Sequence, residues 1–265
     1  MIKYNLSNNI TPKAKNLLNL KRIGIKVPNF FTLTFSLKEL KNISKNETDI
    51  FNNYLKLYIN SKYVIVRITA DIEDNYNASF AGLFYSKVYL RNSLFLENIL
   101  EDLDKINYNN IKKYKKNMSL DNESIEKFTV IIQDFIIGDI SGIAFTKNPV
   151  TNVDEYVIES NFGLNNTLTD GRVTPDTYYI SKYNNGINKI IGSKKKIAVL
   201  KKTKIIYEEN FKKCETLNED QIRNLIHIFK KIEGEYKKSQ DIEWTISDGE
   251  IYILQTRPIT TIREE

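Results

Sequence analysis

The chain has 265 residues, of which 41% are hydrophobic and 27% charged, with a formal net charge of +6. These proportions exclude collagen-like and wholly disordered classes, and every apolar run is shorter than the roughly 20 residues of a membrane-spanning helix. One cysteine, Cys214, and one histidine, His227, exclude an intrachain disulfide and any cysteine-cluster or multi-histidine metal site within this chain.

The amino terminus has no apolar segment of the signal-peptide type, so we expect a cytoplasmic protein. The positive charge alone does not predict nucleic-acid binding, because Lys, Asn and Ile are abundant along the whole chain. We therefore expect neither a nucleic-acid partner nor a membrane partner.

The predicted elements of the first half begin with a helix over 12–23, which Gly24 ends. The elements that follow are a strand over 31–34, helices over 37–42 and 50–59, strands over 63–67 and 84–90, and a helical region over 94–114.

The second half is predicted to contain more strands and one long helix. The predicted elements are strands over 128–133, 140–145 and 156–159, a loop over 165–176 and a β-rich stretch over 178–207. Asn218 and Gln221 predict a capping box at the start of the last helix. Its predicted buried stripe comprises Ile222, Leu225, Ile226 and Phe229, with His227 on the polar side. Because helices and strands mix without strict alternation, the pattern predicts an α+β fold with two lobes.

Two alternating runs near the C-terminus predict a β-hairpin around Ser247-Asp248-Gly249. A three-residue loop with Gly249 in the left-handed conformation places Ile246 opposite Glu250 and Asp241 opposite Gln255. One predicted face is a core face of Ile242, Trp244, Ile246, Tyr252 and Leu254.

The other predicted face carries Asp241, Glu243, Gln255 and Arg257. Carboxylate and amide oxygens suit Mg²⁺, and a guanidinium can bind phosphate. The same pattern also fits a solvated sheet face whose charges pair with each other. A second candidate phosphate element is the loop that follows Arg67, where 78–82 has small residues, although an ordinary loop has the same composition. The run of lysines at 194–196 is interpreted as a solvated face.

Four segments together resemble one family. They are Val64-Ile65-Val66-Arg67 followed by Ala78-Ser79-Phe80-Ala81-Gly82; Ile140-Ser141-Gly142-Ile143-Ala144-Phe145-Thr146 with Pro149-Val150-Thr151; Gly171-Arg172-Val173-Thr174-Pro175-Asp176; and Asp241–Trp244 with Leu254–Pro258. Their order resembles the ATP-binding domain of phosphoenolpyruvate synthase and pyruvate phosphate dikinase, which rifampin phosphotransferase shares.

The resemblance implies an ATP-grasp fold with a nucleotide cleft between an N-terminal lobe, 1–130, and a C-terminal lobe, 131–265. It also implies transfer of a phosphoryl group from Mg·ATP to a histidine on a separate swivelling domain. No such domain follows in this sequence, so we expect a phosphohistidine-domain protein to be supplied in trans.

The resemblance also assigns roles to individual residues. Lys13 and Arg67 would hold ATP phosphates, and Ser79 and Gly82 would cover them. The adenine hinge would comprise Gln133, Asp134 and Phe135, mostly through the backbone. Glu243 and Gln255 would bind Mg²⁺, and Asp241 and Arg257 would help place the transferred phosphoryl group. Arg67, Asp241 and Arg257 would be the catalytic residues.

Two alternatives stay open. Departures from the family pattern at 11–17 and 67–71 also fit a non-catalytic nucleotide-binding or regulatory module. An ATP-binding subunit of an antibiotic phosphotransferase would have the same sequence features.

Overall fold

The computed structural model describes residues 3–5, 11–35, 43–69, 86–104, 128–210 and 212–259. The chain divides into two compact units. Unit 1 comprises Met1–Lys15 and Asn29–Phe135, and unit 2 comprises Asn16–Pro28 and Ile136–Glu265. The lobe boundary at 130 and 131 stays a prediction. No helix among the described residues is long and apolar enough to cross a membrane.

Unit 1 is built on an antiparallel sheet. Its strands are β1 (Lys3–Asn5), β2 (Phe30–Phe35), β3 (Tyr63–Thr69), β4 (Ser86–Leu90) and β5 (Phe128–Asp134). They lie in the order β1-β2-β5-β3-β4, so β5 pairs with both β2 and β3. The last strand of the unit in sequence is therefore central in its sheet.

The helices of the first part of the chain are α1 (Pro12–Arg22), α2 (Lys45–Tyr58) and α3 (Phe95–Asp104). Helix α2 begins earlier than predicted because Ser44 and Glu47 form a capping box. Its Phe51 packs edge-on against Phe31 of β2, with ring centroids 5.9 Å apart. The predicted helix over 37–42 and residues 105–114 lie outside the described residues.

One apolar core joins α2 and α3 to one face of this sheet. Its buried residues are Phe31, Leu33, Phe51, Leu55, Ile59, Val64, Val66, Tyr89, Phe95, Ile99, Val130 and Ile132. Because side chains alternate along a strand, Arg67 and Gln133 lie on the opposite face.

Unit 2 contains a larger antiparallel sheet and a separate hairpin. The sheet strands are β6 (Ile140–Phe145), β7 (Glu155–Phe162), β8 (Asp176–Ser181), β9 (Ile187–Ile190), β12 (Gln240–Ser247) and β13 (Glu250–Pro258); the hairpin strands are β10 (Lys196–Lys201) and β11 (Lys204–Glu209). The sheet order is β13-β12-β6-β7-β8-β9.

Two helices follow in unit 2, α4 (Asn166–Thr169) and α5 (Glu219–Tyr236). The prediction of a loop over 165–176 was wrong in part, because α4 forms there and β8 begins at Asp176. The capping box of α5 is confirmed: Asn218 Oδ1 accepts from the Gln221 N–H at 2.9 Å, and Gln221 Oε1 accepts from the Asn218 N–H at 2.9 Å.

Helix α5 buries the predicted stripe, extended by Ile232, against one face of the larger sheet. The rings of Phe229 and Tyr156 lie 6.4 Å apart. His227 is exposed, as predicted. This packing of a helix against an antiparallel sheet confirms the α+β class predicted from the sequence.

The interpretation of 194–196 as a solvated face was wrong for Lys194. Its side chain is fully buried and forms an ion pair with Asp176, which is also fully buried. The Asp176 carboxylate accepts further hydrogen bonds from the Gly192 N–H at 2.9 Å and the Thr216 N–H at 2.8 Å. Composition could not reveal this pair, because its partners lie on different elements.

Candidate functional site

The hairpin of β12 and β13 closes with a shorter turn than predicted. Ser247 pairs with Glu250, so only Asp248 and Gly249 form the loop. Both residues have positive φ angles, 51° and 78°, as a type I′ turn requires. The three-residue loop, and with it the pairing of Ile246 with Glu250, was wrong.

A β-bulge then changes the pairing between Glu243 and Trp244. Beyond the bulge, Glu243 lies opposite Gln255 and Asp241 lies opposite Arg257. The predicted pairing of Asp241 with Gln255 was therefore wrong. The four polar residues nevertheless share one face, because the shorter turn and the extra bulge residue each shift the pairing by one.

The shorter turn and the bulge together change which residues form the core face of the hairpin. Ile242, Trp244 and Ile246 are buried as predicted, and Ile253 of β13 is buried with them. Tyr252 and Leu254 are only half-buried. Tyr252 pairs with Thr245 on the other face, and Leu254 is the residue that the bulge adds.

Asp241 and Arg257 form an ion pair on the polar face. Nε and Nη2 of Arg257 both lie 2.8 Å from Oδ2 of Asp241. The Asp241 side chain is 14% exposed and that of Arg257 is 60% exposed. The carboxylate thus fixes the guanidinium while leaving much of it open to solvent, which suits a side chain that receives a phosphate.

Glu159 belongs to the same face, and sequence reasoning missed it. Along one row of paired residues, Gln255 lies opposite Glu243, Glu243 opposite Ile143, and Ile143 opposite Glu159. Burial of the half-exposed Glu159 carboxyl raises its pKa. The signal was present in β7, where Glu159 directly follows the buried apolar run Tyr156-Val157-Ile158.

The polar row offers oxygen atoms for a cation. Within the described part of the chain, the carboxylates of Glu243 and Glu159 have no hydrogen-bond or ion-pair partner. No group of three or more His, Cys, Asp or Glu residues that could hold a metal occurs among the described residues. One or two carboxylates supplemented by water and phosphate oxygens are, however, a sufficient ligand set for Mg²⁺.

In unit 1, Arg67 and Gln133 share one sheet face. Arg67 of β3 pairs with Ile131 of β5, two residues before Gln133 on the same side of that strand. Gln133 is 1% exposed, and its Nε2 has no hydrogen-bond partner among the residues that the structure describes. A buried amide donor without a partner is costly, so this atom fits a ligand that presents an acceptor.

Asp134 and Phe135 are placed differently. The Asp134 side chain lies on the opposite face from Gln133 and bonds to the protein. The N–H of Asp134 donates to the Asn29 carbonyl at 2.8 Å, and the N–H of Phe135 donates to the Tyr63 carbonyl at 2.9 Å. These two backbone donors are therefore already in use.

The remaining predicted residues are Lys13, Ser79 and Gly82. Lys13 lies half-buried in the first turn of α1, directly after Pro12, which suits the first helical position. Ser79 and Gly82 lie outside the described residues. The structure thus brings together Arg67 with Gln133 in unit 1, and Glu243 with Gln255 and Asp241 with Arg257 in unit 2.

Residues 36–265 match the family described as pyruvate phosphate dikinase, AMP/ATP-binding domain. The chain is similar to an uncharacterized phosphotransferase, YvkC, of Bacillus subtilis, with 30% identity over 96% of this chain and 34% of that protein. It is 34% identical to a probable phosphoenolpyruvate synthase of Archaeoglobus fulgidus, over 77% of this chain and 28% of the relative.

A rifampicin phosphotransferase of Bacillus cereus is also 34% identical, over 79% of this chain and 25% of its own length. The chain therefore spans only about a third or less of the length of these relatives.

Proposed function

The chain belongs to the pyruvate phosphate dikinase AMP/ATP-binding domain family, and from this premise we propose that it binds Mg·ATP and transfers a phosphoryl group to a histidine. The histidine would lie on a separate swivelling domain or chain. In this reaction the bond between phosphorus and the nucleotide oxygen breaks as a bond to an imidazole nitrogen forms.

The observation that carries the proposal is the pairing of polar residues across β12 and β13. Glu243 faces Gln255, and Asp241 holds Arg257. These pairings support the proposal, because they put two oxygen-bearing side chains next to an oriented guanidinium on one sheet face. Phosphoryl transfer depends mainly on this kind of positioning and charge neutralisation.

Each polar residue would have a distinct role. Glu243 and Gln255 would hold Mg²⁺, whose charge neutralises phosphate oxygens. Arg257 would bind the transferred phosphoryl group, and Asp241 would keep its guanidinium oriented. Arg67 and Lys13 would bind the remaining phosphates, with Ser79 and Gly82 in the covering loop.

The adenine base would be recognised through the side chain of Gln133 more than through the backbone. The N–H groups of Asp134 and Phe135 donate to carbonyls within unit 1, whereas Gln133 Nε2 has no partner in the described part of the chain. This amide can donate to the acceptor nitrogen on the Watson–Crick edge of adenine.

The identity of the final acceptor is a separate question. Relatives include proteins named as phosphoenolpyruvate synthase and as rifampicin phosphotransferase. We propose that the phosphohistidine step is common to both cases, so this chain would serve either acceptor.

A transfer assay tests the proposal. The chain would be incubated with radiolabelled ATP, Mg²⁺ and the histidine-containing remainder of the Bacillus subtilis relative. We expect acid-labile label on histidine, reduced at least about 100-fold by Glu243→Gln. Glu250→Gln is the matched control, because Glu250 is an exposed carboxylate on the same hairpin that pairs with Lys26 at 3.1 Å.

The same assay separates the second candidate, a non-catalytic nucleotide-binding module. Pro12 at the start of α1 favours it, because proline has no N–H with which to contact phosphate. That candidate predicts bound ATP without any label on histidine. Equal labelling by wild type and Glu243→Gln would contradict the proposed role of Glu243.

A further inference from the structure

Asp134 has an almost fully buried carboxylate, 6% exposed, and no ion-pair partner among the described residues. Its Oδ1 accepts from the backbone N–H groups of Asn60 at 3.0 Å and Ser61 at 2.8 Å. Its Oδ2 accepts from Nδ2 of Asn29 at 3.1 Å. Three donors from two other segments of unit 1 thus replace the water that a buried carboxylate loses.

The backbone beside this carboxylate is held by the same segments. The N–H of Asp134 donates to the Asn29 carbonyl at 2.8 Å, and the N–H of Phe135 donates to the Tyr63 carbonyl at 2.9 Å. Ser61 Oγ donates to the Phe135 carbonyl at 3.3 Å. The end of β5 is therefore tied to residues 29, 60–61 and 63.

The Asp134 carboxylate and its donors lie close to points at which the chain passes from one unit to the other. Asn29 is the first residue of unit 1 after the 16–28 segment of unit 2, and Phe135 is the last residue of unit 1 before Ile136. Asp134 therefore joins, on the unit 1 side, two of the three points at which the chain passes between the units; the third lies between Lys15 and Asn16. Gln133, whose amide is proposed to recognise the base, lies two residues before Phe135.

We propose that Asp134 is a positioning residue for base recognition: it holds the end of β5 so that the Gln133 amide is fixed toward the nucleotide base. This inference rests on the proposed function. Gln133 and Asp134 project to opposite faces of the sheet, so Asp134 acts through the backbone and does not touch the ligand.

The inference predicts a preference between nucleotides. The fixed amide donor of Gln133 matches the acceptor N1 of adenine and opposes the N1–H of guanine, which is itself a donor. An amide that moves freely would lose this discrimination while phosphate contacts remained. The ratio of the dissociation constants for Mg·GTP and Mg·ATP therefore reports the position of Gln133.

The experiment compares Asp134→Ala with Asp134→Asn, using calorimetric titration of the full chain with Mg·ATP and Mg·GTP. Asp134→Ala removes the acceptor of Asn60 and Ser61, and we expect the ratio to fall about tenfold. Asp134→Asn keeps an oxygen that can accept from those N–H groups. Its new amide group can donate to Oδ1 of Asn29 once the Asn29 amide has rotated. We expect it to keep the ratio within about twofold of wild type.

Asp102→Ala is the matched control within unit 1. The Asp102 carboxylate also bonds to two neighbours, Lys87 Nζ at 2.5 Å and Tyr89 Oη at 2.8 Å. This variant is expected to lower the melting temperature while leaving the ratio unchanged. If Asp134→Ala fails to fold, Asn29→Ala removes one of the three donors, and we expect it to lower the ratio about threefold.

The outcomes separate the inference from the proposed function. An unchanged ratio in Asp134→Ala, or in Asn29→Ala where that variant is needed, would overturn the positioning role while wild-type binding of ATP upheld the function. A wild-type chain that binds neither nucleotide would overturn the proposed function and, with it, the inference.

Discussion

Glu159 is a side chain whose burial lowers the stability of the fold. Its carboxyl lies half-buried on the polar face of the larger sheet, without a hydrogen-bond or ion-pair partner in the described part of the chain. Desolvation raises its pKa. Proteins often accept such a cost where a ligand is bound, and Glu159 lies in one row with Glu243 and Gln255.

The raised pKa gives a pH-dependent prediction for Glu159→Gln. The folded state holds this proton more tightly than the unfolded state, so stability falls as pH rises from the unfolded pKa through the folded one. At a pH above both pKa values, the carboxylate is ionised in both states and its whole destabilising effect is present. We expect Glu159→Gln to raise the melting temperature at pH 7 by about 1–2 °C, with the difference vanishing at acidic pH.

Thermal unfolding measured across this pH range checks the effect. Glu155→Gln is the control, because Glu155 lies on the same face of β7 but accepts from Asn148 Nδ2 at 2.8 Å. This variant should not be stabilised. A Glu159→Gln variant no more stable than wild type at pH 7 would argue against the unfavourable burial.

At the level of elements, the β12–β13 hairpin depends on the conformation of its turn. Asp248 and Gly249 both adopt positive φ angles, and that turn sets which residues of the two strands face each other. An added Cβ at Gly249 meets no atom of the described residues within 4 Å. The penalty for a side chain there is therefore purely conformational.

Gly249→Ala is expected to lower the free energy of unfolding by about 1 kcal/mol, because an L-residue is strained in the left-handed region. Gly234→Ala provides a control of opposite sign. Gly234 lies inside α5, also with nothing within 4 Å of an added Cβ, so alanine should stabilise by up to about 1 kcal/mol. Denaturant unfolding measures both, and equal changes in the two variants would contradict the turn argument.

Local sequence patterns predict which helices and strands form in this chain better than they predict how the strands pair. The capping box and apolar stripe of α5 follow from Asn218 and the 18 residues of the helix, since helix signals are local. The polar face of the hairpin was predicted, but through a register that was wrong. The bulge beside Trp244 could not be seen, because alternation alone does not indicate where one strand gains a residue.

Contacts between residues that lie far apart in the chain could not be predicted from the sequence. Glu159 joins Glu243 only through the intervening strand β6, and Lys194 meets Asp176 inside the fold. Asp134 was predicted as a hinge residue, but its three donors come from positions 29, 60 and 61. Each of these depends on strand order, which single-sequence patterns do not specify.

At the scale of the whole molecule, the proposed ligand residues are divided between the two units. Arg67 and Gln133 belong to unit 1, whereas Asp241, Glu243, Gln255 and Arg257 belong to unit 2. The proposed roles give residues of each unit a part in binding Mg·ATP, so a substitution in either group is expected to weaken ATP affinity. If only one unit binds ATP, variants in the other leave affinity unchanged.

Calorimetric titration of Mg·ATP into the full chain directly tests the claim that residues of both units take part in binding ATP. Wild type would be compared with Arg67→Ala, Glu243→Gln and the control Glu250→Gln. We predict micromolar binding by wild type and by the control, weakened at least about tenfold by each of the other two substitutions. Absence of binding at millimolar ATP, or wild-type affinity in both Arg67→Ala and Glu243→Gln, would contradict the account.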